Sequence, residues 1–93
     1  MKIIQSRSFE RKVKKLGKQE KKVLDKEILK VKEYPSVGTE KKGDLGGVYV
    51  YKFKIKNIQY LLSYRFLKDD LELVMIGPHE NYFRDLKNYL KAR

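Results

Sequence analysis

The stretch VYVYKFKIKNIQYLLSYRF, residues 48–66, decides the fold of this chain. From Val48 to Lys56 the side chains alternate, and successive side chains of an extended chain point to opposite faces. Asn57 falls where a tight turn is expected, and the alternation resumes from Ile58 to Phe66. The stretch therefore predicts an antiparallel hairpin. A turn at residues 68–70 and a strand at 71–76 extend it to a three-stranded meander.

The residues before the meander predict one strand and two helices. MKIIQ, residues 1–5, is short and β-prone, and Phe9, Val13 and Leu16 then recur at helical spacing. We expect Ser8 to cap this first helix and Gly17 to end it. A second helix is predicted over 18–33, closed by Tyr34-Pro35, and the glycine-containing segment 35–47 predicts a loop.

After a break at Gly77-Pro78, four apolar residues at helical spacing predict a short C-terminal helix: Phe83, Leu86, Tyr89 and Leu90. The order is therefore β-α-α-β-β-β-α, an α+β fold with an antiparallel sheet packed against a helical hairpin. We expect Tyr51, Phe53 and Ile55 to face the two helices. A chain of 93 residues suits a single domain spanning 1–93.

Charge and composition restrict the kind of partner. The chain has 23 basic and 12 acidic residues, a formal charge of +11, which favours phosphates, the ribosome or an acidic protein as partners. A solubilising lysine-rich surface is the alternative. The chain has no cysteine and one histidine, so no metal or cofactor is implied. The short apolar runs predict no membrane span or signal peptide, and hence a cytoplasmic protein.

The lysines of the hairpin are candidates for binding RNA. Lys52, Lys54 and Lys56 share one strand face about 7 Å apart, so their charges repel unless an anion lies between them. Arg65, on the next strand, is expected to add a fourth cation. The alternative is a solvated sheet face that lysine keeps soluble.

The segment GPHENYFR, residues 77–84, supplies further candidates next to the meander. His79 can exchange a proton near neutral pH, although a lone histidine is also a common capping or surface group. Tyr82 can stack on a base or bind a phosphate, or it can be a core aromatic. Arg84 can stabilise a phosphorane or pair with a neighbouring carboxylate. The catalytic candidates are therefore His79, Tyr82, Lys52, Lys54 and Arg84.

The sequence contains no glycine-rich nucleotide loop, nucleophile elbow or paired carboxylates for two metals. A nuclease built on this chain is therefore expected to be metal-independent.

The element order and three stretches resemble the RelE/ParE superfamily of bacterial type II toxin–antitoxin toxins. The stretches are GDLGGVYVYKFKIKN (43–57), IQYLLSYRF (58–66) and LELVMIGPHENYF (71–83), with an L-x-G motif before the basic strand. The resemblance implies a small toxin neutralised by an antitoxin. In the RelE-like branch, the toxin enters the ribosomal A site and cuts mRNA by attack of a ribose 2′-hydroxyl on the adjacent phosphate.

In this resemblance, Lys52 and Lys54 match the strand cations, His79 the basic or histidine position, and Tyr82 the C-terminal aromatic. Many relatives have an arginine in the second hairpin strand where this chain has Gln59-Tyr60-Leu61, and Arg65 comes several residues later. The transition-state charge is then left to Lys52, Lys54 or Arg84.

Three functions follow as hypotheses. The first is a ribosome-dependent mRNA endonuclease, the second a ParE-like non-enzymatic poison of DNA gyrase, and the third a plain nucleic-acid-binding module. For either kind of toxin we expect an antitoxin whose acidic segment covers the basic face or adds a strand or helix to the sheet.

Overall fold

A computed structural model describes residues 2–41, 43 and 46–92 of the chain. Met1, at the start of the predicted first strand, and Leu45, in the L-x-G motif, lie outside the described residues. The helices are α1 (Arg7–Lys14), α2 (Lys18–Glu33) and α3 (Tyr82–Lys91). The strands are β1 (Ile3–Gln5), β2 (Thr39–Glu40), β3 (Val48–Ile55), β4 (Ile58–Leu67) and β5 (Asp70–Pro78).

The strands form one five-stranded sheet in the order β1-β5-β4-β3-β2. The predicted α+β class and meander are confirmed, with β3, β4 and β5 antiparallel to their neighbours. The prediction of a wholly antiparallel sheet is wrong, because β1 runs parallel to β5, with Ile3 opposite Leu71. A parallel pair requires a long crossover connection, which the intervening helices and strands provide.

Strand β2 lies inside the segment predicted as a loop. It has two residues and pairs antiparallel with β3, with Thr39 opposite Val50 and Glu40 opposite Tyr49. Among the described residues, no strand pairs with the outer edge of β3 beyond Val50. The second half of β3 therefore has an open backbone edge.

Apolar side chains fill both faces of the sheet. On one face, Phe53 and Ile55 of β3 pack with Phe9 of α1 and with Leu24 and Val31 of α2, as expected from the alternation. The opposite face is partly covered by α3, whose inward side chains Tyr82 and Leu86 join a second cluster. The sheet residues in this cluster are Val48, Val50, Leu61, Val74 and Met75. The lysine-bearing face is thus not fully open.

The caps of the helical hairpin differ from the prediction. Ser6, not Ser8, caps α1, because its extended backbone lets Oγ accept a hydrogen bond from the Phe9 N–H at 3.1 Å. Ser8 lies inside the helix and is buried. Gly17 begins α2 rather than ending α1, and its N–H donates to Glu20 Oε1 at 3.0 Å.

The hairpin turn after β3 and the end of β5 differ from the prediction. Lys56 and Asn57 have φ of 50° and 68°, the conformation of a tight hairpin turn in which both central residues are left-handed. Lys56 is therefore a turn residue and not part of the strand row. At the other end, β5 continues through Gly77 to Pro78, which lies opposite Tyr60, so the predicted break falls after Pro78.

A tyrosine holds the connection between α2 and β2. A single 3₁₀ turn spans Pro35–Val37, and the Tyr64 hydroxyl donates to its Pro35 carbonyl oxygen at 2.6 Å. The Tyr64 hydroxyl oxygen also accepts a hydrogen bond from the Gly38 N–H at 3.0 Å. A Cβ at residue 38 would lie 2.4 Å from Tyr64 Oη, so this close approach requires glycine.

No helix in the described part of the chain is long and apolar enough to cross a membrane.

Candidate nucleic-acid interface

Strand β3 changes from covered to open along its length. Val48 and Val50 are buried beneath α3, whereas Lys52 and Lys54, on the same face two and four residues later, are exposed. Within residues 2–41, 43 and 46–92 neither lysine forms an ion pair. Because two residues of a strand span about 7 Å, their ammonium groups repel, and an anion between them would relieve that repulsion.

His79 lies at the same end of the sheet as Lys54. Lys54 is opposite Gln59 in the β3–β4 register, and the Gln59 carbonyl oxygen accepts the His79 N–H at 3.2 Å. The backbones of Lys54, Gln59 and His79 therefore lie side by side, on β3, on β4 and directly after β5. Two strand spacings separate the backbone of Lys54 from that of His79 by about 10 Å. The His79 side chain is exposed, and its ring packs edge-on against Phe83 with the centroids 6.2 Å apart.

Phe83 also contacts a second cation, Lys41. The Lys41 Nζ lies 5.1 Å from the centroid of the Phe83 ring, within the range of a cation–π interaction. The Lys41 N–H donates to the Val48 carbonyl oxygen at 2.8 Å, which continues the β2–β3 ladder and places Lys41 beside the covered half of β3. We name the set Lys41, Lys52, Lys54, His79 and Phe83 the basic cleft.

Sequence reasoning missed Lys41 and the role of Phe83. Strand β2 is too short for a visible alternation, so the sequence predicts a loop at residue 41, and the helical spacing of Phe83 predicts only that it lies on the apolar side of a helix. The change of β3 from Val48 and Val50 to Lys52 and Lys54 on one face was a usable signal, because it indicates where a covering element ends.

Tyr82 belongs to the core and not to the exposed interface. Its side chain is 3% exposed, and its hydroxyl lies 2.8 Å from both the Ser63 Oγ and the Met75 carbonyl oxygen. Burial raises the pKa of Tyr82 far above that of an ordinary phenol. The core interpretation of Tyr82 fits this arrangement, and its expected contact with RNA does not.

The remaining predicted cations are not members of the basic cleft. Arg65 is on the lysine face but is opposite Val48, at the far end of the hairpin. Its Nε donates to Oε1 of the buried Glu72 at 2.5 Å, so it neutralises a core carboxylate. Arg84 is exposed on α3, with its Nε 3.6 Å from Asp85 Oδ1. Lys56 is exposed in the turn after β3.

The basic cleft has the elements of a phosphate-binding site. Exposed ammonium groups provide charge and hydrogen-bond donors, and the half-buried Phe83 ring provides an apolar surface between Lys41 and His79. An imidazole at the edge of such a site can accept or donate a proton. The arrangement can therefore bind an anion and move a proton beside it.

Residues 3–87 match the family model described as ParE-like toxin of type II bacterial toxin-antitoxin system, and the chain belongs to this family. It is a toxin of a type II toxin–antitoxin system of the RelE/ParE kind, as its sequence predicted. No curated protein matched the chain in a sequence comparison.

Three solved structures are similar in fold. In the intact Escherichia coli RelBE toxin–antitoxin complex, the matching chain has a TM-score of 0.67 and 21% identity, covering 85% of this chain and 96% of that one. The isolated E. coli RelE toxin has a TM-score of 0.64 and 21% identity, and the match covers 94% of this chain and 96% of that one. The solution structure of HP0894 from Helicobacter pylori has a TM-score of 0.50 and 22% identity, and the match covers 85% of this chain and 94% of that one. At these identities the similarity establishes the fold.

Proposed function

We propose that the protein is a ribosome-dependent mRNA endonuclease that cleaves RNA in its basic cleft without a metal ion. The observation that supports this proposal best is the row Lys54–Gln59–His79, which brings the histidine to the exposed lysines of β3. A titratable imidazole beside a phosphate-binding surface is the minimum required for RNA cleavage through the ribose 2′-hydroxyl.

In the proposed reaction, Lys52 and Lys54 bind the phosphate and stabilise the negative charge that builds up on it. The 2′-oxygen forms a bond to phosphorus and loses its proton, while the bond from phosphorus to the 5′-oxygen breaks and that oxygen gains a proton. The products are a 2′,3′-cyclic phosphate and a free 5′-hydroxyl. His79 performs one of these two proton transfers, and Arg84 is a further candidate for charge stabilisation.

The proposed partners are mRNA in the ribosomal A site and a cognate antitoxin. The similar RelBE structure is a complex of toxin and antitoxin, which supports an antitoxin partner for this chain. Because Lys52 and Lys54 form no ion pair with any residue that the structure describes, we expect an acidic antitoxin segment to cover the basic cleft.

The main test is the substitution His79→Ala in a cell that expresses the toxin, with mRNA 5′ ends mapped. We expect cleavage to fall by ~10²-fold or more, because a general acid or base contributes about that factor. Asn88→Ala, an exposed change on α3, is the matched control and should leave cleavage unchanged. Cuts in phase with codons in the wild type would show that cleavage depends on the ribosome. Wild-type cleavage by His79→Ala would remove the histidine from the mechanism.

A non-enzymatic gyrase poison is the second candidate, since the matching family model is described as ParE-like. A supercoiling assay with purified gyrase distinguishes the two functions. Inhibition of supercoiling by the toxin, together with intact mRNA in cells, would replace the endonuclease proposal with this one.

A further inference from the structure

A second cleft lies next to the basic cleft, at the edge of the sheet where β2 meets β3. Its volume is about 290 Å³, and it is lined by Val37, Thr39, Lys41, Val50, Tyr51 and Lys52. Lys41 and Lys52 are also members of the basic cleft, so the two sets of residues overlap. The volume is at the low end of ligand pockets, roughly 300–1,000 Å³, which suits a group about the size of one nucleotide.

The walls of this edge cleft are fixed by contacts outside it. Val37 is the last residue of the 3₁₀ turn that leads to Thr39, and Tyr64 holds this turn by hydrogen bonds to both Pro35 and Gly38. Tyr51 also lines the cleft, and its hydroxyl donates to Glu27 Oε1 at 2.6 Å. Lys41 is oriented by the Phe83 ring. A site whose walls are already ordered loses less entropy when it binds a ligand.

The chemistry of the lining indicates an anion attached to an apolar or aromatic group. Two ammonium groups and the Thr39 hydroxyl can donate hydrogen bonds, and no carboxylate is among the described residues that line the cleft. Val37 and Val50 supply an apolar surface. Phosphate bound by lysines, with a sugar or base against apolar side chains, is the usual composition of a single-stranded nucleic-acid site.

We propose that the edge cleft is a nucleotide subsite, in which Lys41 and Lys52 bind a phosphate adjacent to the one held by Lys52 and Lys54. This inference rests on the proposed function, because it extends the path of the same RNA strand from the basic cleft across the edge of β3. Lys41 is then a substrate-binding residue that contacts RNA outside the bond to be cut.

The test measures binding of a single-stranded, 2′-O-methylated RNA of about eight nucleotides, which cannot be cleaved and is long enough to cross both clefts. Affinity is determined by fluorescence anisotropy at several salt concentrations for Lys41→Ala, Lys41→Arg and Lys22→Ala. Lys22 is an exposed lysine on α2 that does not line the edge cleft, and it serves as the matched control. Circular dichroism checks that each variant is folded.

We expect Lys41→Ala to weaken binding 3- to 10-fold and to reduce the slope of log affinity against log salt by about 0.7, the value for one phosphate contact on a single strand. Lys41→Arg should retain most of the affinity, and Lys22→Ala should match the wild type. Equal affinities for Lys41→Ala and Lys22→Ala, with losses for Lys52→Ala and Lys54→Ala, would overturn the subsite but leave the endonuclease proposal intact.

The other possible result is that the edge cleft binds an acidic protein and not RNA. Loss of binding to a polyglutamate peptide by Lys41→Ala, with RNA affinity unchanged, would overturn the nucleotide subsite and assign the cleft to an acidic partner. Failure of the endonuclease proposal is seen separately, as intact mRNA in cells that express the wild-type toxin.

Discussion

At the scale of single residues, burial separates side chains that the sequence presents as equivalent. His79 and Tyr82 lie three positions apart in one segment, and each has a chemistry that suits RNA cleavage. The structure places the imidazole at the surface and the phenol in the core. The difference arises from the cluster between α3 and the sheet, which joins residues of strands that are distant in the sequence, and so no local pattern reports it.

Tyr82→Phe tests the core assignment. Removing the hydroxyl should lower the free energy of unfolding by about 1 kcal/mol, the usual value of a hydrogen bond, because Ser63 and Met75 lose a partner. Cleavage by the folded protein should stay within about twofold of the wild type, since even a modest catalytic proton transfer contributes far more. Urea unfolding and a cleavage assay provide the two values, and the exposed Tyr34→Phe is the control. A large loss of cleavage at full stability would contradict the core assignment.

The raised pKa of Tyr51 predicts that the folded protein loses stability in alkali. Burial, together with the hydrogen bond to Glu27, raises the pKa of Tyr51 from 10.0 to about 12. Between these values the folded protein keeps a proton that the unfolded chain has lost, so stability is complete below pH 10 and falls as pH rises towards 12. Tyr51→Phe should make this decline shallower in urea unfolding measured across that range. An equally steep decline in the variant would show that Tyr51 does not contribute to it.

At the scale of elements, the strongest periodicities were predictive and the short elements were not. The meander and the C-terminal helix follow from alternation and from helical spacing, and both are present. The cap of α1 could not be decided locally, because Ser6 and Ser8 are both suitable residue types. Ser6 is the cap because its hydroxyl also donates to the carbonyl oxygen of Val74 on β5, a contact made by the folded sheet. Strand β2 has only two residues and no periodicity of its own, so it is recognised only by its pairing with β3.

Gly38→Ala should disturb the element that forms one wall of the edge cleft. The added Cβ would meet the Tyr64 hydroxyl at 2.4 Å, so the turn or the tyrosine must shift, at a cost of roughly 1–3 kcal/mol in unfolding free energy. Ser36→Ala, an exposed change in the same turn, should cost little. The cost at residue 38 should be smaller in a Tyr64→Phe background, because the nearest atom is then absent. Full additivity of the two changes would show that the clash is not the cause.

At the scale of the whole molecule, the charge of +11 was evident from composition, but composition does not say which lysines act together. Lysines lie on α1, α2 and the sheet, and only the structure shows that those of β3 are grouped with Lys41, His79 and Phe83. The contact between Lys41 and Phe83 joins residues far apart in the chain, and therefore no spacing rule predicts it.

Lys52→Ala and Lys54→Ala test whether position matters beyond net charge. Each should impair toxicity more than Lys14→Ala or Lys22→Ala, although all four remove one positive charge. Each sheet variant should also reduce the salt slope of RNA binding by about 0.7, whereas the helix variants should not. Growth inhibition and anisotropy titrations give the two measurements. Equal effects at all four positions would mean that the sheet lysines only keep the protein soluble.

The open backbone edge of β3 gives these lysines a further consequence. In the described part of the chain no outer strand pairs with β3 beyond Val50, so its outward amide and carbonyl groups there are open to another extended chain, beside buried Phe53 and Ile55. Charged side chains on such an edge oppose intermolecular strand pairing. Neutralising Lys52 and Lys54 together should therefore promote self-association of the toxin, and light scattering would detect it. The residues proposed to hold RNA would then also keep the toxin monomeric whenever its cleft is empty.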